Sequence, residues 1–212
     1  RGITTPEEAR RFLRGGTGDL HPPFLLKDTG PAVSRILEAV ERGERITVYG
    51  DYDVDGVTGT ALLYLSLQKL GARVDYYIPS RLEEGYGLHG SALEELAGKG
   101  VGLLVTVDCG ISAWEEVKYA ARLGMDVVVT DHHEAGAILP EAAAVINPKR
   151  RECSYPFKGL AGVGVAYKLA QALFVQAGMG GEELGLLDLV ALGTVADVVP
   201  LLDENRILVT QG

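Results

Sequence analysis

Residues 45–56 read RITVYGDYDVDG: a short, β-rich run passes directly into three aspartates, Asp51, Asp53 and Asp55, and then a glycine. The same pattern recurs downstream. Runs at 73–78 (RVDYYI), 101–107 (VGLLVTV), 126–130 (DVVVT) and 143–146 (AAVI) are also short and β-rich. Helical patterns follow the first four runs at 56–70, 90–98, 112–123 and, as no more than a short turn, 134–142. Apolar strands alternating with amphipathic helices predict an α/β fold: a five-stranded, mainly parallel sheet with helices on both faces. After Pro148 the pattern is helical, near 160–177 and 182–195. In such a sheet, ligands bind at the carboxyl ends of the strands.

Outward from this block, residues 1–44 read as an N-terminal helical extension. Thr5-Pro6-Glu7-Glu8 is a capped helix start, 32–41 is a second amphipathic segment, and 20–28, with Pro22 and Pro23, is an extended connector. Residues 45–202 then form the catalytic domain, and 203–212 begin a connector to a further C-terminal domain. A chain that opens on Arg1 is read as a fragment. The apolar runs are far shorter than a bilayer span, which predicts no membrane association and a cytoplasmic protein. Cys109 and Cys153 are too few for a disulfide framework or a thiolate metal knuckle, and both read as reduced thiols. A net charge of −9 argues, taken alone, against a polyanionic substrate.

The chemistry-bearing residues cluster just after the apolar runs. Asp51, Asp53 and Asp55 follow the first, Asp108-Cys109-Gly110 the third, and Asp131-His132-His133-Glu134 the fourth. In a parallel sheet these turns share one rim, so five carboxylates and two imidazoles converge, with Asp197 a candidate sixth acid from the helical part. Like charges that close raise one another's pKa unless cations compensate them. Mixed carboxylate and imidazole donors suit Mn²⁺ or Mg²⁺, and two such ions would offset four of the nine negative charges. The acidic total then no longer opposes a nucleic-acid substrate.

Other readings fit less well. DYDVDG matches the first half of an EF-hand loop, but Leu62 stands where the loop needs a bidentate Glu. An aspartyl-phosphatase reading of Asp53-Val54-Asp55 leaves His132 and His133 without a role. Cys109 reads as a buried structural thiol, and His21 and His89 as surface or core residues. Gly159, Gly162 and Gly164 look like a phosphate loop, but no strand precedes them, so close helix packing is preferred.

DYDVDG, VDCG, TDHHE and GTVADVVPL, in this order over residues 51–201, resemble the motifs of the DHH phosphoesterase superfamily. Three more stretches, PFLLKD (23–28), IPSRLEEGYGLH (78–89) and INPKRRECSYPFKGLAGVGVAYKL (146–169), resemble the RecJ branch, single-strand-specific 5′ to 3′ DNA exonucleases. The pyrophosphatase branch places a histidine where this chain has Tyr49.

The resemblance implies two-metal hydrolysis of phosphodiester bonds with release of 5′-mononucleotides, in DNA repair and recombination. It assigns Asp51, Asp53, Asp55, Asp108, His132 and Asp197 to two Mn²⁺ or Mg²⁺ ions, with Asp108 bridging and Asp51 a ligand or close neighbour. It gives His133 the scissile phosphate or leaving oxygen, and Asp131 the orientation of an imidazole. Single-stranded DNA is the implied substrate, and a single-strand-binding protein and a helicase are the implied partners.

Composition adds a basic, aromatic stretch. Residues 147–169 carry Lys149, Arg150, Arg151, Lys158 and Lys168 against Glu152, with Tyr155 and Phe157 among them. With Arg81 and Tyr86 they suit phosphates on cations and bases on rings, so Arg81, Tyr86, Lys149, Arg150, Arg151 and Lys158 are the candidate DNA contacts. Two alternatives remain: a phosphodiesterase of short oligonucleotides or cyclic dinucleotides, and a non-catalytic DNA-binding scaffold. The complete set of motif acids and histidines weighs against the scaffold.

Overall fold

The computed structural model describes residues 2–212. Strands β1 (Arg45–Tyr49), β2 (Arg73–Tyr77), β3 (Val101–Val107), β4 (Asp126–Thr130) and β5 (Ala144–Ile146) pair in the order β2-β1-β3-β4-β5, every pair parallel. The chain therefore steps outward from β1 to β2, then crosses back to lay β3 on the other side of β1. The strand order reverses between β1 and β3, and crevices at such points are where parallel sheets bind ligands.

Alternation along the strands feeds two cores. Ile46, Val48, Leu103, Val105, Val107 and Val128 face a layer formed by α2 (Thr29–Arg42), α3 (Val54–Lys69), α6 (Gly162–Gln176) and α7 (Leu187–Ala196). Tyr49, Leu104, Val127 and Val129 face α4 (Gly90–Gly98) and α5 (Trp114–Arg122). Because both faces are covered, β3 is apolar almost throughout, which is why it reads as a continuous run. Among the described residues, no helix is long and apolar enough to cross a membrane.

The helical expectations hold with local adjustments, except that the short turn at 134–142 forms no helix. The predicted helix at 182–195 is a 3-10 turn, Glu182–Leu186, followed by α7, with the poor helix former Gly185 at the join. The connector at 20–28 is not uniformly extended: Pro23–Leu25 forms a 3-10 turn, where proline at the first position has no N–H to lose. Helix α1 (Pro6–Arg14) begins where expected, although the side chain of Glu8, the far half of its capping box, lies outside the described residues.

The boundary drawn at residue 45 does not coincide with a break in packing. Ala32, Val33, Ile36 and Ala39 of α2 are buried in the same core as the sheet. The segment 203–212 is likewise helical, α8 (Asp203–Gln211), with Ile207 and Leu208 buried.

Helix α8 meets α6 and the N-terminal connector at a buried ionic cluster. Lys168 of α6 and Glu204 of α8 are fully buried, with Nζ and Oε1 2.6 Å apart. Glu204 also accepts the Tyr155 hydroxyl (2.6 Å) and the backbone N–H of His21 (2.9 Å), and Lys168 donates to the His21 carbonyl. Arg11 of α1 pairs with Asp203 at 3.0 Å. Two residues of the basic, aromatic stretch are thus withdrawn from any surface role: Lys168 and Tyr155 both bind Glu204 inside the fold.

Removing one member of a buried pair leaves the other charge without compensation. Glu204→Ala is expected to lower unfolding free energy by about 3–5 kcal/mol, read as a shift in the urea midpoint at unchanged slope. A midpoint within error of the unsubstituted protein would show that the pair is not what joins α6 to α8.

Candidate metal centre

Strand β1 ends in a turn that starts α3, and this junction places the first acids. Asp53 is the N-cap of α3, its carboxylate accepting the Gly56 N–H at 2.9 Å. Asp55 lies in the first turn and points inward, its side chain fully buried. Its two oxygens accept the N–H groups of Gly162 (2.6 Å) and Val163 (2.8 Å) at the start of α6. Asp51, just beyond β1, is also buried.

After β3, Asp108 adopts a left-handed backbone conformation, φ +60°. A non-glycine residue held there stores strain, as functional sites often do. The Tyr86 hydroxyl donates to its carbonyl at 3.1 Å.

After β4, Asp131 organises the double histidine. Its carboxylate accepts the N–H groups of Ile111 (2.9 Å), His132 (2.7 Å) and His133 (3.0 Å), together with His133 Nδ1–H at 2.7 Å. His132 is thereby aimed at the other acids. Its Nε2 stands 3.0 Å from Asp108 Oδ1, 3.7 Å from Asp197 Oδ2 and 3.9 Å from Asp55 Oδ2. Asp197 arrives from the C-terminal end of α7.

Donor atoms of Asp51, Asp53 and Asp108 lie within 4.8 Å of one another, as do those of Asp55, His132 and Asp197, and those of Asp108, His132 and His133. Asp108 and His132 each belong to two of these sets. Asp51 Oδ1, Asp197 Oδ2 and His132 Nδ1 are buried without a hydrogen-bond partner, and Asp108 Oδ1 and His132 Nε2 have only their 3.0 Å approach to each other. Buried polar atoms normally have one. Oxygen and imidazole donors that converge and lack partners fit hard divalent cations such as Mn²⁺ and Mg²⁺. Cys109 is not among them: its buried Sγ contacts the Tyr49 carbonyl, as a structural thiol.

The electrostatics agree. Burial, reinforced by Asp108, pushes Asp55 up to about 7, and burial pushes Asp108 up to about 6. Burial also raises Asp51 and Asp197. Burial opposes the charge on His132, yet the neighbouring Asp108 raises its pKa. His133 is raised to about 9 by its hydrogen bond to Asp131. Burial works against the Asp131 carboxylate, but the His133 and backbone donors hold it below the usual range.

The candidate DNA contacts divide. Tyr86 packs edge-on to His133 and lines, with Asp51, Leu88, Ile111, Ser112 and Asp131, a cavity of about 600 Å³ beside the acids. Arg81 lies over the Tyr52 ring at 5.3 Å, close enough to favour ionised Asp51. Lys149 pairs with exposed Glu134 at 3.2 Å, and Arg151 is exposed.

Arg150 turns inward instead, whereas Lys158 stays exposed. Arg150 binds Asp28 and the Val145 carbonyl, both at 2.5 Å, and Lys158 donates to the Cys153 carbonyl at 2.6 Å. Arg150 ties the loop after β5 to the fold, and the Lys158 contact lies within that loop. The amides of Gly162 and Val163 and the cavity wall at Ile111 and Ser112 were not foreseen as parts of the site. The glycine-rich run at 159–164 was the only sequence signal near the former.

The model of the DHH family, N-terminal domain, matches residues 45–194. The chain is 50% identical over 212 residues to the single-stranded-DNA-specific exonuclease RecJ of Bacillus subtilis, covering all of this chain and 26% of that protein. It is 45% identical over 223 residues to the RecJ of Escherichia coli, covering all of this chain and 38% of that one. A crystal structure of exonuclease RecJ bound to manganese superposes with a TM-score of 0.82 at 42% identity, over 88% of this chain and 47% of that one. RecJ from Thermus thermophilus in complex with Mn²⁺ gives 0.76 at 38% identity, over 88% and 26%. The chain thus spans 26–38% of the length of these curated relatives.

A carboxyl group whose pKa is raised on folding leaves stability intact below its unfolded value and withdraws it as pH rises through the folded one. For Asp55 and Asp108 that window runs from 3.8 to about 7 and about 6. His133 acts in the same direction up to about 9, whereas lowered Asp131 acts only on acidification below 3.8. In chelator the melting temperature is therefore expected to fall between roughly pH 5 and 8, and excess Mn²⁺ at pH 8 to restore it. A chelator profile that is flat or rises over this range would contradict the charge crowding.

Proposed function

The chain belongs to the DHH family, and from that premise we propose that it is the catalytic core of a single-strand-specific 5′ to 3′ DNA exonuclease. Its reaction is hydrolysis of phosphodiester bonds with release of 5′-mononucleotides. One observation carries the reading: five aspartates and His132 converge at the β1/β3 crossover with buried donor atoms left without partners. The DNA substrate is supported by the similarity to RecJ proteins over the whole chain.

Asp51, Asp53, Asp55, Asp108, His132 and Asp197 would hold two Mn²⁺ or Mg²⁺ ions, with Asp108 shared. Two such ions supply charge neutralisation and Lewis acidity toward a phosphoryl oxygen. Asp131 holds His133 in place and favours its protonated form, so the imidazolium acts as a hydrogen-bond donor to the scissile phosphate or the leaving oxygen. Tyr86 offers a ring at the cavity edge for a base, and Arg81, Lys149 and Arg151 offer charge for the flanking phosphates. Arg150 drops out of that set because it is held inside the fold by Asp28, and exposed Lys158 stays in it. The family resemblance extends the reading to a single-strand-binding protein and a helicase as partners, to a cytoplasmic setting, and to DNA repair and recombination.

The test uses the intact protein on 5′-blocked and 3′-blocked single-stranded DNA, duplex DNA and a dinucleotide, with Mn²⁺, Mg²⁺ or chelator. Mononucleotides should accumulate from single strands with free 5′ ends, and chelator should stop the reaction. Asp53→Ala and Asp108→Ala should each lose more than about 100-fold in rate, beyond what changes outside the ligand set cost, with unchanged circular dichroism. Degradation that starts at the 3′ end or survives chelation would overturn the assignment, and turnover confined to the dinucleotide would favour the short-oligonucleotide reading.

A further inference from the structure

Residues 159–165 read GLAGVGV, and none of them is among the proposed metal ligands. It opens α6, on the helical layer more than 100 residues from Asp55 in sequence. A free helix N-terminus is a ready anion site. Here the two amides that would serve one, Gly162 and Val163, are already committed, one to each oxygen of Asp55.

Space is as restrictive as hydrogen bonding. A Cβ on Gly162 would lie 2.6 Å from Asp108 Oδ1 and 2.7 Å from Asp108 Cβ and Cγ. No side chain, not even a methyl group, fits while Asp108 keeps its position. The neighbouring contacts are equally tight. A Cβ on Gly59 of α3 would meet Val107 at 2.6 Å, and one on Gly193 of α7 would meet Thr58 at 2.3 Å and Val163 at 2.8 Å. Helices α3, α6 and α7 therefore approach one another closely around Asp55. Gly164, two residues on, meets only the Leu160 side chain, at 3.3 Å or more.

We propose that the N-terminus of α6 is a clamp for the metal centre: the Gly162 and Val163 amides fix the Asp55 carboxylate, and the missing side chain of Gly162 lets Asp108 stand beside it. Gly162 is thus a positioning residue, acting through Asp55 and Asp108. The proposal rests on reading those two acids as metal ligands. Groups that orient ligands from outside the coordination sphere change metal affinity by roughly 10- to 100-fold when altered.

Mn²⁺ alone, titrated into the intact protein and followed by the electron paramagnetic resonance of the free ion, measures the clamp directly. Gly162→Ala should weaken Mn²⁺ binding by roughly 10- to 100-fold, while Gly164→Ala leaves it unchanged. In the nuclease assay Gly162→Ala should move the Mn²⁺ concentration for half activation upward by the same factor, with the maximum rate regained at high Mn²⁺. A general packing defect would instead lower the maximum at an unshifted midpoint.

Should Gly162→Ala fail to fold, a backbone ester at position 163 deletes only the N–H that Asp55 Oδ1 accepts, and at least a tenfold loss of affinity is expected there too. Unchanged Mn²⁺ affinity in the ester protein or in folded Gly162→Ala would overturn the clamp and leave the metal centre standing. Absence of Mn²⁺ binding by the unsubstituted protein would overturn the metal centre itself, and the clamp with it.

Discussion

Carboxylates that must stand within a few ångströms of one another, largely out of water, are the constraint around which this molecule is arranged. Asp51, Asp55 and Asp108 are buried together with His132, and burial drives the acids toward their neutral forms. The surrounding fold must hold these side chains where mutual repulsion would separate them. It does so mainly with backbone N–H groups: Gly56 for Asp53, Gly162 and Val163 for Asp55, and Ile111, His132 and His133 for Asp131. Backbone donors suit this task because they are anchored by the elements that carry them and bring no counter-charge of their own.

Sheet order determines which groups can meet. With β1 next to β3 and β3 next to β4, the turns after three strands open onto one rim, and the strand-order reversal leaves a crevice there. The helical layer closes the rim from one side, bringing the α6 amides and Asp197. The left-handed backbone at Asp108 is the visible strain of this convergence. At a distance, Lys168, Glu204 and Tyr155 bind the connector at His21 and the C-terminal helix α8 to α6, the helix whose first turn touches both Asp55 and Asp108.

The strands and the acids that follow them were readable without coordinates, since a strand buried on both faces must be apolar and a polar cluster directly after it must lie at the sheet edge. The basic, aromatic stretch was not readable in the same way. Lys168, Tyr155 and Arg150 have the composition of a nucleic-acid surface, yet each binds a carboxylate within the fold. Composition counts charges along the chain and carries no information about the direction in which a long side chain points. Arg81 and Tyr86, by contrast, sit in a turn after β2, where the sheet geometry brings them to the rim.

From sequence alone, the fold class, the strand ends that bear the chemistry and the donor types suited to Mn²⁺ or Mg²⁺ were determined, because all three follow from local periodicity and residue chemistry. Tertiary structure alone decided that Lys168 and Arg150 are consumed by packing. It also decided that the glycine-rich run at 159–165 grips Asp55 and makes room for Asp108, rather than binding phosphate. The physical reason is common to both: hydrogen bonds and close contacts between residues a hundred positions apart depend on how helices pack, and no short-range pattern encodes that distance.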